Sequence, residues 1–517
     1  VSVSWRRECI NAARPDVQPR QNRFTRGAES RTRENIGTVK TLDALERARR
    51  EPFAETKLLE LLAALERATF RDAAELARFH DALLYLAAYP PSARVLKRAE
   101  SMLRRMGPRV ASLDDPWPLF DPAVSGIART SVTVVFSYDF VRWLLDRHPG
   151  DVDIDWEQRY DSERMAAVIP LLLPMVAEEA RVDANVEYAR WLKPRGVQWL
   201  VSQLGRLSNG AALYDSLGLW IRWNLRTPST RTLMRFPAKE IFYSAAPPLP
   251  RREVSIAREM EGKSLRIRKL SRREGEAALD MARAALAIRY RELYGFTYGD
   301  PASVLVAACG RGLQILLAGI SSDRRLPLRA GFAPLLIRNG VPIGYGDAFG
   351  LCERMEVSLN IFYAFRDGES AFCFAQMLKL YRQLFGTRVF SIDPYQIGKE
   401  NEEAIESGAF WFYRKLGFRC ADPAIEKLAQ REEARLEVQP LVRTSPRTLR
   451  RLAQGPMVYG PKDWDRFRIG RLARAIGSEE LRALAAMRRS TEQEYLASTA
   501  ASAHLRRRLI RLGSSSL

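Results

Sequence analysis

The chain has 517 residues, 46% of them apolar, enough for two or three domains with cores of their own, which excludes a wholly disordered protein. Lysine and arginine outnumber aspartate and glutamate by 82 to 61, a formal charge of +21, so a nucleic acid or another anionic partner is admitted by composition. Five scattered cysteines, Cys9, Cys309, Cys352, Cys373 and Cys420, form no CxxC pair, which argues against a disulfide scaffold, a redox couple or zinc and fits a reducing cytoplasm.

Residues 1–41 read as a basic, disordered arm, with nine cations against four anions over the first 40 positions. They hold no apolar run of about 7 to 15 residues, so no secretory signal is expected there. Residues 42–225 read as a mostly helical domain. "ETKLLELLAALERATF" puts Leu58, Leu59, Leu62 and Leu65 on one stripe, and "DAAELARFHDALLYLAAY" continues the pattern to Pro90-Pro91. A helical surface of this kind offers a docking face to a protein partner. From 226 to 252 five prolines among basic and small residues mark a linker, because proline disfavours helix and leaves a semi-rigid extended chain.

Residues 253–440 read as an α/β domain. "KSLRIRKL" suits a short strand and "REGEAALDMARAALAIRYRELYGF" a long helix. The apolar stretch Ser303–Ile320 carries Arg311 near its middle and is marginal against the about 20 residues of a bilayer span, so a buried helix is expected and no membrane span. Asn339-Gly340 between β-rich runs signals a hairpin, since both residues tolerate positive φ. Gly344 and Gly346 fit a strand that bends or admits close backbone contact. "RMEVSLNIFYAF" alternates as the next strand, with Glu356, Ser358 and Asn360 on one face. "GESAFCFAQMLKLYRQLFG" then reads as a helix, "RVFSIDP" as a strand and "NEEAIESGAFWFYRKLGF" as a helix. Residues 441–517 read as a basic helical tail, with sixteen cations against six anions and a Gly-Ser end.

The order from Gly331 onward, hairpin, strand, turn, helix, strand, helix, resembles the second half of the GCN5-related N-acetyltransferase (GNAT) fold. The last helix carries Ala409, Tyr413, Lys415, Gly417 and Phe418 at the family spacing A-x-x-x-Y-x-K-x-G-F. The resemblance covers about residues 331–425 and implies a mixed sheet flanked by helices, with acetyl-CoA or another acyl-CoA as co-substrate and an amine as acceptor. It further implies that the turn before the central helix holds the pyrophosphate through backbone N–H groups and the helix dipole. Arg366, Gly368, Glu369, Ser370 and Ala371 form that turn here, with Glu369 where the family has its central glycine and Ser370 placed to cap the helix. The family often has an asparagine seven residues before the tyrosine; that position is Glu406, and Asn401 lies five residues further upstream as the nearest candidate for a cofactor contact.

Transfer from a thioester needs a neutral amine, a polarised carbonyl and an acid for the leaving thiolate. The resemblance implies Tyr413 as the acid. Glu356 is the best placed carboxylate for a base, and Asp347 on the preceding hairpin is second. His80, His148 and His504 fall outside the segment, so a Ser-His-Asp triad within it is not expected, and no cluster has metal-ligand spacing. Three functional readings stay open at this point: an acyl-CoA-dependent acyltransferase, a GNAT-like fold that has lost catalysis and serves as an interaction module, and a basic protein that binds nucleic acid or another anionic partner.

Overall fold

A computed structural model describes residues 28–70, 72–116, 119, 125–183, 185–226, 229–439, 441–461, 469–487 and 491–514. The first 27 residues of the basic arm and residues 515–517 of the Gly-Ser end lie outside the described residues. Helix already runs over Ala28–Ala48, so the part of the arm that can be described is not irregular chain.

The chain divides into two compact units, one of Val1–Met234 with Arg283–Glu292 and one of Arg235–Ala282 with Leu293–Leu517. The first unit is mostly helical, as the 3.6-residue periodicity implies. Leu58, Leu62 and Leu65 of the helix Glu55–Arg67 are buried, and Leu59 is at the edge of that stripe. The unit also holds a small antiparallel sheet that the helical reading passes over: β1 (Ser131–Val134), β2 (Val152–Ile154) and β3 (Ile221–Asn224), in the order β1-β3-β2. These strands span only three or four residues each, too short for their alternation to stand out from flanking helical patterns.

The proline-rich segment is not a free linker. Thr230, Arg231 and Thr232 are buried in the first unit, where Thr232 Oγ1 lies 2.9 Å from His80 Nε2 and Arg231 pairs with Asp81 at 3.0 Å. From Arg235 onward the chain is fastened to the second unit: Phe236 N–H donates to Gly340 O at 2.7 Å, Phe242 N–H to Asn339 Oδ1 at 2.8 Å, and Leu249 N–H to Glu369 Oε1 at 3.0 Å. Prolines suit this role because a laid-down extended strap needs few donors of its own.

The second unit is built on an 11-stranded mixed sheet, so the α/β expectation holds at that level. Its strands are β4 (Arg266–Lys269), β5 (Leu305–Gly310), β6 (Leu313–Gly319), β7 (Ala330–Arg338), β8 (Val341–Tyr345), β9 (Ala348–Leu351), β10 (Arg354–Val357), β11 (Asn360–Ile361), β12 (Val389–Ile392), β13 (Arg419–Cys420) and β14 (Met457–Tyr459). The path runs β13-β14-β12-β10-β9-β7-β6-β5-β4, with β8 on β7 and β11 on β8. All neighbours are antiparallel except β10 and β12, which are parallel and joined by the central helix, Ser370–Phe385.

Two corrections concern chain segments. Ser303–Ile320 is a hairpin, β5 to β6, and not a buried helix; Gly310, Arg311 and Gly312 all take positive φ (81°, 52° and 74°), a reversal that places the arginine at the tip instead of inside an apolar helix. Residues 441–517 are not a tail, because β14 inserts between β12 and β13 and the following helices bury Leu472, Leu484, Leu505 and Leu509 with Leu351 and Cys352. The Asn339-Gly340 turn forms as expected, with φ of 47° and 81°. Among the described residues no helix is long and apolar enough to cross a membrane.

Candidate functional site

The parallel ladder between β10 and β12 is short. Arg354, Met355 and Glu356 pair with Val389, Phe390 and Ser391, and the pairing ends there. Past Val357 the chain continues on β8 through Asn360↔Tyr345 and Ile361↔Gly344. Between these stretches, Ser358 N–H donates to Asp347 O at 2.9 Å and Asp347 N–H donates to Ser358 Oγ at 2.8 Å. A Cβ at Gly346 would stand 2.2 Å from Ser358 O, and one at Gly344 would stand 2.6 Å from Asn360 O. The two glycines are therefore required by close backbone approach, as their place in the strand suggested.

Tyr413 sits where the ladder ends. It lies on the short helix Ala409–Lys415, and the backbone N–H of Leu359 faces its hydroxyl and favours the ionised phenol. Its ring meets Phe374 of the central helix at 5.4 Å and Phe418 at 5.9 Å. Burial, with the residue 3% exposed, pushes the phenol pKa well above its ordinary value, and the Leu359 N–H only partly offsets this. The hydroxyl thus stays protonated at neutral pH. The expected single helix "NEEAIESGAFWFYRKLGF" is two, Glu402–Glu406 and Ala409–Lys415, parted by Gly408 at φ 66°. That break turns the Tyr413 helix independently of the segment before it.

The turn that opens the central helix is held from inside by Glu369. This carboxylate is 1% exposed and pairs with Arg338 Nη1 at 2.6 Å, with Arg311 through Nε at 3.1 Å and through Nη2, and with the Leu249 N–H. Burial would raise its pKa, but the hydrogen bond from Arg311 and the charge of Arg338 hold it below the usual carboxylate value. Glu369 therefore does not project its charge where a phosphate would approach. Ser370 does not cap the helix: the N-cap is Glu369, without a side-chain cap bond. Cys373 N–H, bonded to Glu369 O, is the first to be satisfied by the helix, which leaves Ser370, Ala371 and Phe372 as first-turn donors. Gly368 is half-buried in the turn and donates to Phe365 O, and Ala371 is buried.

Arg366 is exposed on the same turn, 2.5 Å from Glu403, stacked over the Tyr363 ring at 3.8 Å and donating to Ile361 O. Asn401 caps the helix Glu402–Glu406: its Oδ1 accepts from Ala404 N–H at 3.2 Å and its amide donates to Tyr395 O at 3.0 Å. Glu356 is half-buried and 3.5 Å from Arg329, whose guanidinium covers Phe349.

The faces separate these residues. Glu356 is the register partner of Ser391, which is opposite Val458, itself opposite Arg419, so all four side chains share one face. Met355, Phe390 and Tyr459 share the other, and Tyr459 touches Phe418, which touches Tyr413. The central helix packs on this second face, with Phe385 stacked on Phe332. The structure brings Tyr413 and the turn 366–371 to one side and leaves Glu356 on the other. Asp347 is near enough to Tyr381 of the central helix for its charge, together with burial, to raise that phenol's pKa well above the ordinary value.

Sequence reasoning missed the Leu359 amide and the Arg311–Glu369–Arg338 cluster. The second left a trace, since an arginine between two glycines inside an apolar run is better placed at a turn than in a helix. Among the described residues no group of three or more histidines, cysteines and carboxylates could hold a metal ion. No protein family, curated protein or solved structure matches the chain.

Proposed function

We propose that the second unit is a GNAT-like acyltransferase that moves an acyl group from acyl-CoA to an amine. The observation that carries this reading is the ending of the β10–β12 ladder beside a buried, protonated Tyr413 and beside the first turn of the central helix. The order β10, central helix, β12, Tyr413 helix, β13 and β14 adds support, since it follows the resemblance read from residues 331–425 and extends it to the end of the sheet.

In this reading the free amides of Ser370, Ala371 and Phe372 hold the pyrophosphate at the positive end of the helix dipole, with Arg366 beside them. The amine nitrogen attacks the thioester carbonyl and the C–S bond breaks. Tyr413 gives its proton to the leaving thiolate, and the amine's surplus proton passes to solvent. The Leu359 N–H beside the phenol oxygen favours the phenolate that is left when the proton goes to the thiolate. Glu356, on the opposite face, is not part of the reacting centre, and Asn401 acts through the helix it caps.

A second reading has one observation in its favour: at 3% exposure Tyr413 is closed over by its neighbours, as in a fold kept for partner binding. Calorimetric titration of the full chain with CoA and acetyl-CoA separates the two. Binding in the micromolar range supports the acyltransferase, and no heat at millimolar ligand contradicts it.

A further inference from the structure

At the opposite end of the central helix a cleft of about 690 Å³ lies between its last turn, the start of β12 and the β13–β14 edge. Arg382 stands 12 residues along the helix from Ser370, so at 1.5 Å per residue the cleft is about 18 Å from the first-turn amides and is a separate site. Arg382 lines it from the helix, Arg388 from the chain entering β12 and Arg419 from β13; Glu261 is the one carboxylate among the lining residues.

Arg382 and Arg388 are exposed and form no ion pair among the described residues. Arg419 is steadied by its own Nη1, which donates to Phe418 O at 2.9 Å and Arg414 O at 3.4 Å. Thr387, 1% exposed, also lines the cleft, and its hydroxyl has no hydrogen-bond partner among the described residues. Complementing the negative end of the helix dipole accounts for Arg382. It does not account for Arg388, in the chain entering β12. The cleft has the size of a small-molecule site and is far larger than an inorganic anion, so its occupant has an organic body, for which Tyr459 supplies a ring.

We propose that this cleft binds a small organic phosphomonoester, its phosphate held by Arg382 and Arg388. Guanidinium groups suit that role because they are always charged and present paired donors to phosphate oxygens. Glu261 opposes the ligand's charge and lowers its affinity.

The test is calorimetry on the full chain with phenyl phosphate, inorganic phosphate and phenol as probes. Phenyl phosphate is expected to bind, phosphate more weakly and phenol not at all. Arg382→Ala and Arg388→Ala should each weaken phenyl phosphate by about tenfold, the loss of one charge-assisted contact. Glu261→Gln should strengthen it severalfold, a gain that general destabilisation would not produce. Affinity should also rise through about pH 6, where a phosphomonoester gains its second charge. Circular dichroism verifies that each variant is folded. Absence of heat with phenyl phosphate at millimolar concentration, or an affinity in both arginine variants unchanged from that of the natural chain, overturns the proposal. A single-stranded oligonucleotide that displaces phenyl phosphate and binds far more tightly through the same arginines also overturns it, in favour of a nucleic-acid partner.

Discussion

The Leu359 backbone N–H faces the Tyr413 hydroxyl at the point where the parallel strands β10 and β12 cease to pair. That amide lowers the cost of the phenol giving up its proton, against the effect of burial.

Tyr413→Phe removes that proton and keeps the ring. Turnover should fall by about 100-fold or more, in the range of general acid catalysis, while acetyl-CoA affinity changes little. Steady-state rates with a thiol-release assay check this, and an unchanged rate removes Tyr413 from the mechanism.

Glu369 is predicted to hold the turn together through Arg311 and Arg338. Arg338→Met leaves a buried carboxylate with one partner fewer and should cost about 3 kcal/mol in urea unfolding at neutral pH. Because the folded-state pKa of Glu369 is held below its unfolded value, its contribution is present above about pH 4.3 and is lost as pH falls through the folded value. The stability gap between the natural chain and Glu369→Gln should therefore be wide at pH 7 and shrink in acid. A gap that stays constant from neutral pH to about pH 3 contradicts the ion cluster.

Gly346 faces Ser358 O so closely that a methyl group cannot be accommodated without moving a strand. Gly346→Ala should lower stability by about 2 kcal/mol, as overpacking does. Gly386 at the end of the central helix has φ 64° and open space around its Cβ position, so Gly386→Ala carries only backbone strain, about 1 kcal/mol. Melting temperatures of the two variants in that order check the assignment; the reverse order contradicts it.

Burial pushes the thiols of Cys352, Cys373 and Cys420 up to about 12, and that of Cys309 higher still. A thiolate-specific reagent at pH 8 should leave these four unmodified in the folded chain and label them rapidly in urea. Mass mapping reads the outcome, and prompt native labelling of Cys373 would refute the burial of the central helix.

Much of the second unit was readable from local signals. Asn339-Gly340, the alternating β10 segment and the apolar central helix each carry turn chemistry or periodicity that survives packing. The hairpin at Arg311 was not readable, because its strands are largely buried on both faces and apolar except for Gln314, a pattern shared by a buried helix. β14 was missed for a related reason, being three residues among helical segments. Tyr413 came from its spacing before Gly417, whereas its Leu359 partner is a backbone group, and a backbone amide leaves no mark in a sequence. Glu356 was chosen as a carboxylate on the strand before the turn; only the register with Ser391 and Arg419 reveals that it faces away from Tyr413.

Hydrogen exchange of the full chain with and without saturating acetyl-CoA reads the pyrophosphate site and the Tyr413 environment together. Exchange should slow at Ser370, Ala371 and Phe372 and at Leu359, with no change at the cleft around Arg388. Unchanged exchange at all four amides under saturating acetyl-CoA, or protection confined to other parts of the chain, would contradict the acyltransferase reading.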